Sequence, residues 1–100
     1  NSINVSFLAF YIINPTMSQE FLKAAEKVKG LSYMPSNDAK LELYGLYKQA
    51  TDGDCTTTKP SFVYYVEQKK WDAWNKLKGM SKKDAEAKYI AFVESLKSKE

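Results

Sequence analysis

Apolar residues in this chain recur at helical spacing, and no stretch of useful length alternates apolar with polar. That limits the fold more than any other feature does. A period of about 3.6 residues lines one face of a helix, whereas a half-buried strand needs a period of about two. From Ser18 the run Phe21, Ala24, Ala25, Val28 stops at Gly30. Pro35-Ser36-Asn37-Asp38 then supplies a breaker and candidate N-caps. A narrow second stripe follows, Ala39, Leu43, Leu46 and Ala50, and ends by "TDGD". "CTTTKPS" reads as loop, closed by Lys59-Pro60. A third run, from about Tyr65 to Lys78, puts Val66, Ala73, Trp74 and Leu77 on one side, with Gly79 as its stop. Ser81, with Asp84 three residues on, forms a capping-box variant before the fourth stripe, Ala85, Tyr89, Phe92, Val93 and Leu96. "SFVYYV" has strand-like residues but no second strand to pair with. The expectation is an all-α four-helix bundle in which the long Thr-rich connection keeps the second and third helices from forming a tight hairpin.

At 100 residues the chain makes one small domain with a thin core. Residues 1–16 carry no charge, and every charged residue lies from Glu20 onward. Their apolar stretch, Val5 to Ile13, is too short to span a bilayer and lacks the basic flank of a signal peptide. Met17 opens "MSQEFLKAAEKVKG" in the manner of a natural start. The expected division is therefore an apolar N-terminal extension over 1–16, artificial or upstream-translated, and a folded domain over 17–100. A targeting or membrane-touching segment is the alternative for 1–16. An ordered extension would have to bury Phe7, Leu8, Phe10, Tyr11, Ile12 and Ile13 in a groove of its own or a neighbouring molecule.

The chain has no arginine and no histidine, and its 15 lysines stand against 12 acids for a net charge of +3. No Ser-His-Asp triad, Cys-His pair or His-rich metal site can be built from such a set. The single Cys55 cannot form an internal disulfide, which fits a reducing cytosol, and nothing near it in sequence would activate its thiol. An enzyme such as a thioesterase or isomerase lacks its nucleophile and base here. A nucleic-acid binder would want a denser basic face and the bidentate fork of arginine.

Some residues exceed what the core stripes require. Tyr44, Tyr47 and Lys48 lie on a face adjoining the second stripe, either as a boundary face with a solvated lysine or as a seat for something flat and anionic. Lys70 falls within the third apolar stripe, so it snorkels or meets an anion unless the helix begins late and leaves it at an edge. Tyr89 belongs to the fourth stripe, where packing with a bonded hydroxyl is the plain reading. Trp74 reads as core, and Trp71 as the possible wall of a surface groove. A ligand with a purine to stack on phenols, a phosphate for lysines and a hydrocarbon chain for apolar neighbours would use every one of these parts.

The stretch "PSNDAKLELYGLYKQATDG", Pro35 to Gly53, closely resembles the signature of acyl-CoA-binding proteins (the diazepam-binding-inhibitor type), and the likeness runs on through "KKWDAWNKLKGMSKKDA" to the C-terminal helix. The resemblance implies a four-helix bundle over 17–100. It also implies a non-enzymatic, cytoplasmic, monomeric carrier and pool former for medium- and long-chain fatty acyl-CoA esters, serving acyl-CoA-using enzymes by transient contact. No cofactor, metal, nucleic acid or stable membrane insertion is expected. By position, Tyr44, Lys48 and Lys70 resemble the residues that hold the ribose 3′-phosphate. Tyr47 and Tyr89 resemble the pair around adenine, and Lys29 a further contact near the nucleotide. Ala25 and Leu41 are implied for the acyl-chain groove. Four features depart from the pattern: Lys40 stands for a large apolar residue, Val66-Glu67-Gln68 for Lys-Gly-Lys, Met34 for a lysine of some members, and Ser61 for glycine. Retained head-group binding with altered affinity or chain preference is the expectation.

Overall fold

Three helices start where serines offer their hydroxyls to orphan backbone donors. In the computed structural model, which describes residues 18–100, Ser18 Oγ accepts from the Phe21 amide at 3.1 Å and opens α1, Gln19–Lys29. Ser36 Oγ does the same for Ala39 at 3.1 Å and opens α2, Asn37–Asp52. The third expected run is α3, Tyr65–Asn75, whose N-cap Tyr64 makes no side-chain bond. Ser81 Oγ takes the Asp84 amide at 3.0 Å at the head of α4, Lys82–Lys97. The described residues thus form four helices and no strand. The expected groove for the side chains of residues 7–13 lies outside the described residues.

α2 and α4 form the central pair, with α1 laid on α4 and α3 on α2. Their common core joins Phe21 and Ala24, Leu43, Leu46 and Ala50, and Ala85, Tyr89, Val93 and Leu96. These are the residues of the first, second and fourth stripes, and the half-buried Ala25, Val28, Ala39 and Phe92 flank them.

The third stripe needs correction. α3 ends at Asn75 rather than near Lys78. Beyond it the amides of Leu77, Lys78 and Met80 bond back to the third preceding carbonyl at 3.0–3.1 Å, so the chain tightens into turns. Gly79, at φ 95°, makes the left-handed reversal that returns it to α4. Val66, expected on the buried side, is 65% exposed. It lies in the first turn of α3, while burial begins two turns later at Ala73 and Trp74.

α2 and α3 run parallel. Lys70 covers the ring of Tyr44 and Lys48 covers that of Trp74, so four residues forward on one helix match four forward on the other. The approach is close: a Cβ on Gly45 would collide with the carbonyl of Ala73. A parallel pair needs a long return, which residues 53–64 supply. Indole Nε1 of Trp74 donates to the Gly53 carbonyl at 2.8 Å, that of Trp71 to Thr57 at 3.0 Å, and Gln68 Nε2 to Pro60 at 2.7 Å. Cys55, which belongs to this return, is buried.

Candidate functional site

The surplus residues gather on either side of α2. Tyr44, Tyr47 and Lys48 occupy neighbouring positions of one helical surface, and α2 presents Tyr44 to one recess and Tyr47 to another. The first, of about 620 Å³, lies between α2 and α3. Leu41 and Tyr44 form one wall and Tyr65 and Val66 the other, and Lys40, Lys69 and Lys70 contribute its cations. Lys70 Nζ stands 5.0 Å from the centre of the Tyr44 ring, with Glu67 3.9 Å away. The two candidate phosphate holders thus meet across the seam. Lys70 is neither buried nor stranded at a helix edge: it snorkels over a phenol.

The second recess, of about 790 Å³, lies between α1 and the opposite flank of α2 and α4. Tyr47, Tyr89, Lys29 and Ala25 all line it. Tyr47 is half-exposed and packs its ring 5.6 Å from Phe21 and 6.1 Å from Tyr89. Tyr89 is 4% exposed and sits edge-on to Phe21 at 5.0 Å. Burial pushes its phenol above the usual tyrosine range. Tyr89 is therefore core by packing and the floor of a recess by position. Lys29 is exposed and pairs loosely with Glu26 at 3.4 Å.

Lys48 sits one turn beyond Tyr44, on the side of α2 that packs against α3. Its ammonium donates to Asp52 Oδ2 at 2.6 Å and lies 4.8 Å from the Trp74 ring centre. The bond to Asp52 raises the lysine pKa despite partial burial, and the same bond lowers that of Asp52. A phosphate arriving here would meet an ammonium already held in place.

One expected grouping is not brought together. Ala25 and Leu41, both implied for the acyl-chain groove, line different recesses. The reason is topological: Ala25 is on α1, which packs on α4, whereas the groove containing Leu41 is bounded by α3. Trp71, read as a possible groove wall, is half-buried and ties down the return loop instead.

Residues 18–93 match the family model described as acyl CoA binding protein. The chain belongs to the acyl-CoA-binding protein family. The acyl-CoA-binding protein of Dictyostelium discoideum is 54% identical over 79 residues, covering 79% of this chain and 94% of that one. The crystal structure of Oryza sativa acyl-CoA-binding protein 2 superposes with a TM-score of 0.78 at 47% identity, over 81% of this chain and 90% of that one. Enoyl-CoA delta isomerase 2 of Rattus norvegicus is 48% identical over 80 residues, which is 80% of this chain but 20% of that enzyme.

Against this family background, several participants escaped the sequence reading. Asp52 orients Lys48, and its i+4 spacing was a usable signal. Phe21 backs both phenols of the second recess but reads from sequence only as core. Gln49, fully buried, donates to Asp54 at 2.9 Å and to the Met80 carbonyl at 2.8 Å. Asp54 also accepts from the Gly79 amide at 2.9 Å. These bonds lock the C-terminal end of α2 to the turn before α4, which fixes the platform under Lys48.

Proposed function

We propose that this chain binds medium- and long-chain fatty acyl-CoA esters and acts as their carrier and pool former. The observation that carries the reading is the pairing of Lys70 with Tyr44 across the α2–α3 seam, with Leu41 in the same recess. A 3′-phosphate is assigned to Tyr44, Lys48 and Lys70, and adenine to Tyr47 and Tyr89 with Lys29 beside it. The hydrocarbon chain is assigned to the α2–α3 recess along Leu41. Ala25 is reassigned to the nucleotide side.

Neither half of the ligand suffices alone. A sixteen-carbon tail offers on the order of 10 kcal/mol of gross transfer energy, and ordering the ligand removes several kcal/mol. Head-group contacts restore the balance towards nanomolar affinity, near −12 kcal/mol. No bond-breaking step is assigned, because the recesses present phenols and ammonium groups without a nucleophile–base pair. The enzyme homologous over a fifth of its length fits a role for this fold as a ligand-holding module beside separate chemistry. A cytoplasmic monomer that needs no cofactor and passes its ligand to acyl-CoA-using enzymes by transient contact completes the reading. No helix among the described residues is long and apolar enough to cross a membrane.

Titration calorimetry with palmitoyl-CoA, CoA and palmitate tests this. Palmitoyl-CoA is expected to bind at least a hundredfold more tightly than either fragment, with no thioester turnover. Absence of palmitoyl-CoA binding overturns it.

A further inference from the structure

The α2–α3 recess is an odd groove for a plain hydrocarbon. Its walls at Leu41, Tyr44, Tyr65 and Val66 are apolar, yet ammonium groups enter from both helices: Lys40 from α2, Lys69 and Lys70 from α3. Lys70 is engaged with Tyr44 and Glu67. Lys69 reaches over the Tyr65 ring at 5.3 Å. Among the described residues, neither Lys40 nor Lys69 has an acid within ion-pair distance. The one acid lining the recess, Asp38, sits in the first turn of α2, at its N-terminal end.

The register of the seam locates the two free cations. Tyr44 is level with Lys70 and Lys48 with Trp74, so Lys40 is level with Val66, and Lys69 with Leu43. The two ammonium stems therefore start on opposite walls, about 5 Å apart along the groove at helical rise. That separation lies within the span of two flexible lysine chains converging on one small anion.

We propose that this groove takes acyl-CoA esters whose chain carries a terminal carboxylate, with Lys40 and Lys69 closing on that carboxylate. The proposal rests on the acyl-CoA reading and names the ligand class within it. A hydrocarbon chain alone engages neither ammonium group. A dicarboxylic acyl chain supplies the missing anion while its methylenes still cover Leu41, Tyr65 and Val66. The groove is open enough for the lysines to stay partly hydrated, which keeps the gain of each pair modest, a few-fold in affinity.

The test compares dodecanedioyl-CoA with dodecanoyl-CoA by calorimetry, for the wild-type chain and for Lys40→Met/Lys69→Ala. Both positions are exposed, so the variant is expected to keep its helical circular dichroism. The ratio of affinities, dicarboxylic over monocarboxylic, is expected to fall about three- to tenfold in the variant, and in the wild type to shrink as salt is raised. An affinity ratio unchanged by the double substitution overturns the proposal and leaves the carrier reading intact. Failure of the wild-type chain to bind dodecanoyl-CoA overturns both.

Discussion

Lys70 shows how one side chain can be made ready for an anion without being buried. Its stem runs along the α2–α3 seam and its ammonium rests over the Tyr44 ring at 5.0 Å, a contact that costs little to keep and little to break. Replacing it by methionine keeps the packing and removes the charge. Affinity for palmitoyl-CoA is expected to fall ten- to a hundredfold in Lys70→Met, the range of a charge-assisted bond of about 1.5–3 kcal/mol, with thermal stability nearly unchanged. Tyr47 makes the complementary case, since its ring is half-exposed and one face is already stacked on Phe21. Tyr47→Ala should weaken binding by about 1–3 kcal/mol if that ring carries a base. The affinity of the same variant for free palmitate should not change, and calorimetry with both ligands separates the two effects. At this scale the sequence was informative about which residues are surplus and silent about their partners. Tyr44, Tyr47 and Lys48 stood off the core stripe by simple periodicity. That Lys70 would lie over Tyr44 depends on how two helices meet, which no local pattern encodes.

At the scale of elements, the close pass of α2 over α3 depends on Gly45. An alanine there gains up to about 1 kcal/mol of helix propensity but drives a methyl into the Ala73 backbone. Gly45→Ala is therefore expected to destabilise the fold by about 1–3 kcal/mol and to weaken palmitoyl-CoA binding by parting Lys70 from Tyr44. Denaturant unfolding and calorimetry report the two effects. α3 has a different weakness, for its N-cap is Tyr64 and no side chain answers the first amides. Tyr64→Asp should raise stability by about 0.5–1 kcal/mol, read from the urea midpoint. The other three helices announced their starts through Ser18, Ser36 and Ser81, and those starts were legible because a cap is a local bond. The end of α3 was not legible: Gly79 gave the stop signal, but the helix had already loosened at Asn75 as its following residues turned towards α4. Val66 was misplaced for a related reason. Periodicity finds a face without saying how far along the helix a neighbour covers it.

Polar links, some within one helix and some between distant segments, carry charges that set the pH limits of the whole molecule. Asp52 is held low by Lys48, Asp54 by the Gly79 amide and Gln49, and Glu100 is held at about 2 by Lys97 and the Ser32 amide. Carboxyls depressed by folding stabilise above their ordinary range and lose that contribution as they are protonated, so the urea midpoint should fall progressively as pH drops below about 4 towards 2. Tyr89 works in the opposite sense. Its phenol is raised by burial, so its contribution is present below the usual tyrosine value and is lost as pH climbs past it. A flat stability plateau between these limits, with no transition near neutrality, is expected of a chain without histidine. The arrangement of the four helices, and with it the separation of Ala25 from Leu41, could not be read from stripes that look alike. It follows from the parallel course of α2 and α3, and that course has an electrical consequence. In an antiparallel pair the backbone dipoles cancel, whereas here they add. Neither helix carries a basic residue in its last turn, and at the shared negative pole the C-cap of α3 is Lys76. A phosphate drawn in beside Lys48 approaches that pole, and the ammonium groups must first overcome it. A carboxylate at the other end of the trench, nearer Asn37 and Tyr65, would find the same field working in its favour.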